Sequence, residues 1–265
     1  HGVDFTLRLP SVGATMTLLM AATQAGGTTI LRGAACEPEI SDLANFLRAC
    51  GAHITGAGTP VLVIQGGEPL HGAVWTPLPD RIAAATYAAA LACAGGEVTV
   101  TGCAPAYYAA FLDFLQAAGV EMIRQDDDVT LTRDPAQPLR GRQKLYANAW
   151  PAFATDTAPL AAAVLLQADA PSEIYDALFA RRFACAAGFA AMGAVCSEQG
   201  RRLQIQGIAR LHGAEVEAPD LRGGAALLLA ALAAEGTTLL HDAGHLARGY
   251  TDLPGHLVAL GAYIR

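Results

Sequence analysis

Lysine is almost absent from this chain: of 17 basic residues among 265, all but Lys144 are arginine. Acidic residues outnumber them at 24, and the formal net charge of −7 leaves no basic surface for nucleic acid. An anionic ligand must therefore be held by individual arginines. Long hydrophobic runs are lacking as well. Stretches such as AALLLAALAA at 225–234 stop short of the roughly 18 residues that span a bilayer, and no signal peptide is visible, so a cytoplasmic protein without a membrane partner is expected. The six cysteines form no C-x-x-C pair and have no histidine at zinc-ligand spacing. They are expected to be reduced and mostly buried, since a free Cys packs as a small hydrophobe. His241 and His245 stand four apart, but Gly244 between them argues against a helical metal pair.

What is present is apolar and repetitive. At 53% hydrophobic residues the chain can build one large or two ordinary domains. GGTTI at 26–30 returns as GGEVTV at 95–100 and EGTTL at 235–239, which makes Gly27, Gly96 and Gly236 equivalent; a third, weaker copy, LLQADAPSEI at 165–174, carries Ala170 in that place. A second anchor falls at Gly51, Gly119, Gly193 and Gly261, at spacings of 68, 74 and 68 residues. Four units follow. Each reads as an apolar helix, a Gly turn, a strand, a second helix, a Gly cap and one or two strands, such as TPVLVIQG (59–66), DVTLTR (128–133) and RLQIQG (202–207). Glycine after a helix supplies the left-handed cap without a Cβ clash. The first helices, such as AATYAAALACA, are apolar nearly all round and are expected to be buried, with sheets packed outside them. Phe5, Leu7 and Leu9 alternate with Thr6 and Arg8, so the chain opens inside a strand that has no preceding partner, which suggests a missing N-terminal portion.

The strings PSVGAT (10–15), CEPEISDLANFL (36–47), LPDRI (78–82), PAFATD (151–156), LFARRF (178–183), APDLRG (218–223) and HLARGY (245–250), in this order and spacing, closely resemble the bacterial UDP-N-acetylglucosamine enolpyruvyl transferases, or 1-carboxyvinyltransferases. The resemblance implies an α/β class of protein, the enolpyruvyl transferase fold: barrel-like inverse α/β repeats, helices inside and sheets outside, three repeats to a domain and six in all, with the active site between two domains. Four are present, so residues 1–76 are expected to be the third repeat of an incomplete first domain and 77–265 the second domain, with PLP at 77–79 as an extended crossover. It also implies the first committed step of peptidoglycan synthesis, and with it a part in cell wall biogenesis, cell shape and division. Phosphoenolpyruvate and UDP-N-acetylglucosamine are the expected partners, with no metal or organic cofactor.

The same resemblance implies site residues. Asp156 matches the carboxylate beside the attacking sugar hydroxyl, a general base; by its residues alone, an Asp before APLAAAVLL could equally be a helix cap. Arg222 and Arg248 match guanidinium groups that bind phosphoenolpyruvate, where a planar fork takes carboxylate or phosphate bidentately, although salt bridges to Asp220 and Asp252 would suit the same positions. Arg182 matches an arginine on the phosphate side. Ser11, Val12 and Gly13 match the segment touching the nucleotide diphosphate and also suit simple helix capping, while Leu178 matches a backbone or packing contact to the nucleotide. Asp80 and Arg81 match a pair at the domain crossover, as a hinge ion pair or a ligand contact.

Three departures touch the acceptor. ARRF stands at 180–183 where ENRF is usual, Cys36 begins a string that more often reads REPEI, and Thr157-Ala158 follows FATD where Gln is common. The family's Lys-Asn pair and its Cys-bearing loop have no counterpart among these four repeats, so the chain by itself is expected to be inactive. Two alternatives remain: a sister enzyme acting on shikimate phosphate or on a nucleoside, and a non-catalytic nucleotide-binding remnant. HLARGY, where shikimate enzymes would carry Lys-Glu-Ser-Asp-Arg, disfavours the shikimate option.

Overall fold

A computed structural model describes residues 1–208 and 210–265, and they fall into two compact units. Unit 1 comprises His1–Pro79 and Ala149–Ala152; unit 2 comprises Asp80–Asn148 and Phe153–Arg265. The chain thus changes units at Pro79–Asp80, just beyond the expected step at 76/77, and returns briefly at 149–152.

Unit 1 holds β1 (Asp4–Thr6), α1 (Val12–Gln24), β2 (Gly27–Arg32), α2 (Pro38–Ala49), β3 (His53–Thr55) and β4 (Val61–Gly66), with sheet order β1-β2-β4-β3. β1 runs parallel to β2, and the other pairs are antiparallel. The opening strand therefore finds its partner later in the chain. Ser11 caps α1, its hydroxyl accepting the amide of Ala14 at 3.3 Å. Pro38 and Glu39 open α2 and Arg48 lies in its last turn, as the helix dipole favours. Along β4, Leu62 and Ile64 turn inward and are fully buried, the period-two signature of a half-buried strand. The PLP segment is pinned to α2: Trp75 Nε1 donates to Asp42 Oδ1 at 3.1 Å and the Leu78 amide to Oδ2 at 3.3 Å.

Unit 2 holds α3 (Arg81–Ala94), β5 (Gly96–Val100), α4 (Ala109–Ala117), β6 (Glu121–Gln125) and β7 (Asp128–Arg133), then β8 (Lys144–Asn148), β9 (Phe153–Ala154), α5 (Ala158–Leu165), β10 (Ser172–Asp176), α6 (Ala186–Ala191), β11 (Cys196–Gln199) and β12 (Arg202–Ile205). It closes with β13 (Glu215–Glu217), α7 (Leu221–Leu232), β14 (Leu239–His241) and α8 (Leu253–Ala259). The apolar helices α3, α5 and α7 pack against one another at the centre, and every residue of α5 is buried. Alanine dominates α3 and α5 because only a small side chain lets three helix axes converge, while α7 mixes alanine with leucine. The sheets lie outside, as the all-round apolar helices demand. They do not close into a barrel among the described residues, because every named strand pairs within its own repeat: β5-β7-β6, β11-β12-β10-β8-β9 and β13-β14.

The repeat survives in backbone geometry. Gly27, Gly96 and Gly236 all have positive φ, as do Gly51, Gly119, Gly193 and Gly261. In the weak copy, the Glu173 amide donates to the Gln143 carbonyl as Ile30 does to Val3 and Leu239 to Ala214, which places Ala170 at the Gly27 position. Ala170 lacks positive φ, and the neighbouring contact is remade: Asp169 Oδ1 accepts the Gly141 amide at 2.7 Å, where the carbonyls of Gly26 and Glu235 accept those of Gly2 and Gly213. A side chain has replaced a carbonyl that the Gly turn would have aimed.

Cys50, Cys93, Cys103 and Cys185 are buried, Cys36 and Cys196 half-buried, and all six are free. Burial pushes the thiol of Cys93 up to about 12 and that of Cys103 up to about 11, and raises Cys36, Cys185 and Cys196 as well. Unfolded thiols ionise near pH 8.5 while the native ones keep their protons, so the native state binds more protons and stability should fall as pH rises from about 9 toward 11. Urea midpoints measured between pH 8 and 10.5 should decline; a flat profile contradicts this.

Candidate functional site

Four of the expected site residues belong to one neighbourhood or its edge in unit 2. Asp156 lies in a 3-10 turn, Thr155–Thr157, between β9 and α5. It does not cap α5: Thr157 holds that position and makes no side-chain cap bond. The Asp156 carboxylate instead faces two guanidinium groups, with Oδ1 at 3.4 Å from Arg182 Nη2 and 3.8 Å from Arg222 Nε. Both approaches are to Oδ1. At 37% side-chain exposure, Asp156 remains open to a ligand.

Arg222 stands in the first turn of α7, whose cap is Asp220; that carboxylate accepts the Gly223 amide at 2.8 Å and does not pair with the arginine. Asp252 likewise caps α8 through the Gly255 amide at 3.0 Å, which leaves Arg248 exposed and without an ion-pair partner among the described residues. Neither arginine pairs with the acidic neighbour the sequence offered; Arg222 faces Asp156 instead. His241, weighed as a metal ligand, bonds Glu215 across β13 and β14 at 2.7 Å.

The Leu178 amide donates to Asp176 Oδ1 at 2.8 Å, so a backbone contact to a nucleotide would fall to its carbonyl and a packing contact to its side chain. Asp80 caps α3, accepting the amides of Ile82 and Ala83 at 2.8 and 3.1 Å, and Arg81 is buried in the first turn of that helix. Asp80 is thus a cap first, a role its position before a long Ala-rich helix could have signalled. In unit 1, Ser11 caps α1, Val12 begins it, and Gly13 faces open space, with nothing within 4 Å of where a Cβ would stand. Arg181, the charge that distinguishes ARRF, is exposed and makes no ion pair among the described residues. Arg181→Asn should leave phosphoenolpyruvate affinity and its salt dependence unchanged in titrations from low to high salt.

Two residues of this neighbourhood escaped the sequence reading. Asp176 is completely buried, and Thr155 donates its hydroxyl to Asp176 Oδ2 while accepting from Arg182 Nε at 3.1 Å. Thr155 sits inside the FATD string, but nothing in its spacing marks it off from an ordinary turn residue.

The EPSP synthase (3-phosphoshikimate 1-carboxyvinyltransferase) family matches residues 1–257. A UDP-N-acetylglucosamine 1-carboxyvinyltransferase 2 from Caldanaerobacter subterraneus subsp. tengcongensis is 40% identical over 264 residues, covering 100% of this chain and 63% of that protein. A UDP-N-acetylglucosamine 1-carboxyvinyltransferase from Rhodopseudomonas palustris is 43% identical over 256 residues, 96% of this chain and 59% of the relative. Among solved structures, the enolpyruvyl transferase NikO from Streptomyces tendae superposes with a TM-score of 0.85 at 33% identity, covering 100% of this chain and 65% of that one. This chain spans about three fifths of the length of the curated relatives it matches. With four glycine-anchored repeats, helices within sheets and a match along nearly its entire length, the chain belongs to the EPSP synthase (3-phosphoshikimate 1-carboxyvinyltransferase) family.

Proposed function

We propose that this chain, as part of an intact protein, serves enolpyruvyl transfer from phosphoenolpyruvate to the 3'-hydroxyl of UDP-N-acetylglucosamine, in peptidoglycan synthesis in the cytoplasm. The observation that carries the reading is the Asp156 carboxylate set against Arg182 and Arg222. Guanidinium groups suit a substrate whose phosphate and carboxylate both stay charged, and the partly exposed Asp156 carboxylate can receive a proton. In the proposed sequence the sugar oxygen bonds to C2 of phosphoenolpyruvate while its proton passes to Asp156, and C3 takes a proton from a general acid that these four repeats do not supply. Loss of phosphate and of a C3 proton then restores the double bond. Arg182, Arg222 and Arg248 hold the anion. Ser11, Val12 and Gly13 meet the nucleotide diphosphate, where the open face at Gly13 lets a ligand approach the backbone. The names of the relatives at 40–43% identity support this acceptor. Repeat one is proposed as part of a first domain and the other three repeats as a second.

Calorimetric titration with UDP-N-acetylglucosamine, uridine and phosphoenolpyruvate tests it. UDP-N-acetylglucosamine should bind at least about tenfold tighter than uridine, roughly one charge-assisted contact or more. Tighter binding of the bare nucleoside would sink this acceptor and favour a nucleoside-directed transferase.

A further inference from the structure

We propose that Asp176 and Thr155 are positioning residues that fix the Arg182 guanidinium toward Asp156. The inference rests on the proposed roles of Arg182 and Asp156. Asp176 ends β10 and its carboxylate is fully buried, a placement tolerated only when its acceptor sites are filled. Oδ1 accepts the amides of Leu178 and Phe179 at 2.8 and 2.7 Å. Oδ2 accepts the Thr155 hydroxyl and lies 3.7 Å from Arg182 Nε.

The direction of this relay follows from valence. A carboxylate can only accept and a guanidinium can only donate, so the single Thr155 proton goes to Asp176 and its lone pair receives Arg182 Nε–H at 3.1 Å. The same carboxylate sets the face of the guanidinium. By holding the Phe179 amide it fixes the ring over which Arg182 Cζ lies, 4.5 Å from the centroid. Held at one edge and on one face, Arg182 presents Nη2 to Asp156 Oδ1 at 3.4 Å. Thr155 belongs to the same short turn as Asp156, so the group that steers the arginine and the group it faces move together.

The test follows the Nε–H protons of the 265-residue chain by nuclear magnetic resonance, alongside phosphoenolpyruvate titration, for Thr155→Val, Thr155→Ser and Asp176→Asn. Arg182 Nε–H should exchange slowly in the unaltered chain. Thr155→Val keeps the shape and removes the hydroxyl; it should speed that exchange and weaken phosphoenolpyruvate binding, each by about tenfold, the size of one hydrogen bond to a charged group. Thr155→Ser should restore both. Unchanged Nε–H exchange in Thr155→Val overturns the proposal, as does weaker binding without faster exchange, which would mean that the hydroxyl meets the ligand directly. Should Thr155→Val fail to fold, Asp176→Asn decides by the same exchange, which should quicken once the charge facing Nε is gone. Failure of the unaltered chain to bind phosphoenolpyruvate would overturn the functional reading alone, leaving the exchange rate to judge the positioning.

Discussion

In the intact protein, Asp156→Asn is expected to lower kcat for enolpyruvyl transfer by about 10² to 10⁴, the range of a lost general base, while KM for phosphoenolpyruvate holds or falls. Asn keeps the shape, and its Oδ1 can still face Arg182 and Arg222, now at 3.4 and 3.8 Å from the carboxylate. It has no basicity to offer the sugar hydroxyl. Removing a negative charge from between two guanidinium groups also leaves their field less neutralised, so an anionic substrate is held at least as well. A fall in kcat without a rise in KM separates this from a structural defect. A lost helix cap would instead cost about 1 kcal/mol of stability and leave kcat alone. Phosphate release at saturating substrate is the measurement; kcat within about threefold of the unaltered protein would strip Asp156 of its role as base.

Much of this fold was legible because glycine leaves a mark that alanine cannot imitate. Gly51, Gly119, Gly193 and Gly261 were placed as caps by spacing alone, and each has the positive φ that a cap requires. The burial of α3, α5 and α7 followed from the absence of any polar face. Harder to read were β8 and β13, whose short runs KLYAN and EVE carry no periodicity of their own and form because a later parallel strand offers them a partner. Also missed was a third repeat marker, His71-Gly72, Arg140-Gly141 and His212-Gly213. The first residue of each pair bonds back to the turn at the end of the preceding helix, and its side chain lies beside the cap glycine, at Gly51, Gly119 and Gly193 respectively. At the site, Asp156 and the arginines were found by motif, but their competing roles as cap or salt bridge could be resolved only by where Thr157, Asp220 and Asp252 spend their own hydrogen bonds. Asp176 was unreadable: an acidic residue at a strand end is ordinary until its burial is known.

Gly213→Ala is expected to destabilise unit 2 by about 3 kcal/mol or more, as overpacking against an unyielding wall does. A Cβ there would stand 2.1 Å from the carbonyl oxygen of Thr237 and 2.5 and 2.6 Å from its carbonyl carbon and nitrogen. Backbone cannot swing away as a side chain can, and the Gly213 amide is already tied to Glu235 O at 2.7 Å. Relief would require parting the chain just where β13 begins to run beside β14. Gly213 is not among the glycines with positive φ, so the cost is steric rather than conformational. Gly200 in the same unit supplies the opposite case, with φ of +62° and nothing within 4 Å of a built Cβ. Gly200→Ala should therefore cost only the left-handed backbone penalty, about 1 kcal/mol. Urea unfolding of both variants, followed on the same transition, gives the comparison. The close approach recurs at Gly2 against Thr28 and at Gly141 against Ala170, though not at Gly72, which has nothing within 4 Å, so it marks three of the four copies and not one turn. A loss at Gly213 no larger than at Gly200 would mean that the Thr237 backbone gives way, and that glycine at this point of each repeat answers to something other than strand packing.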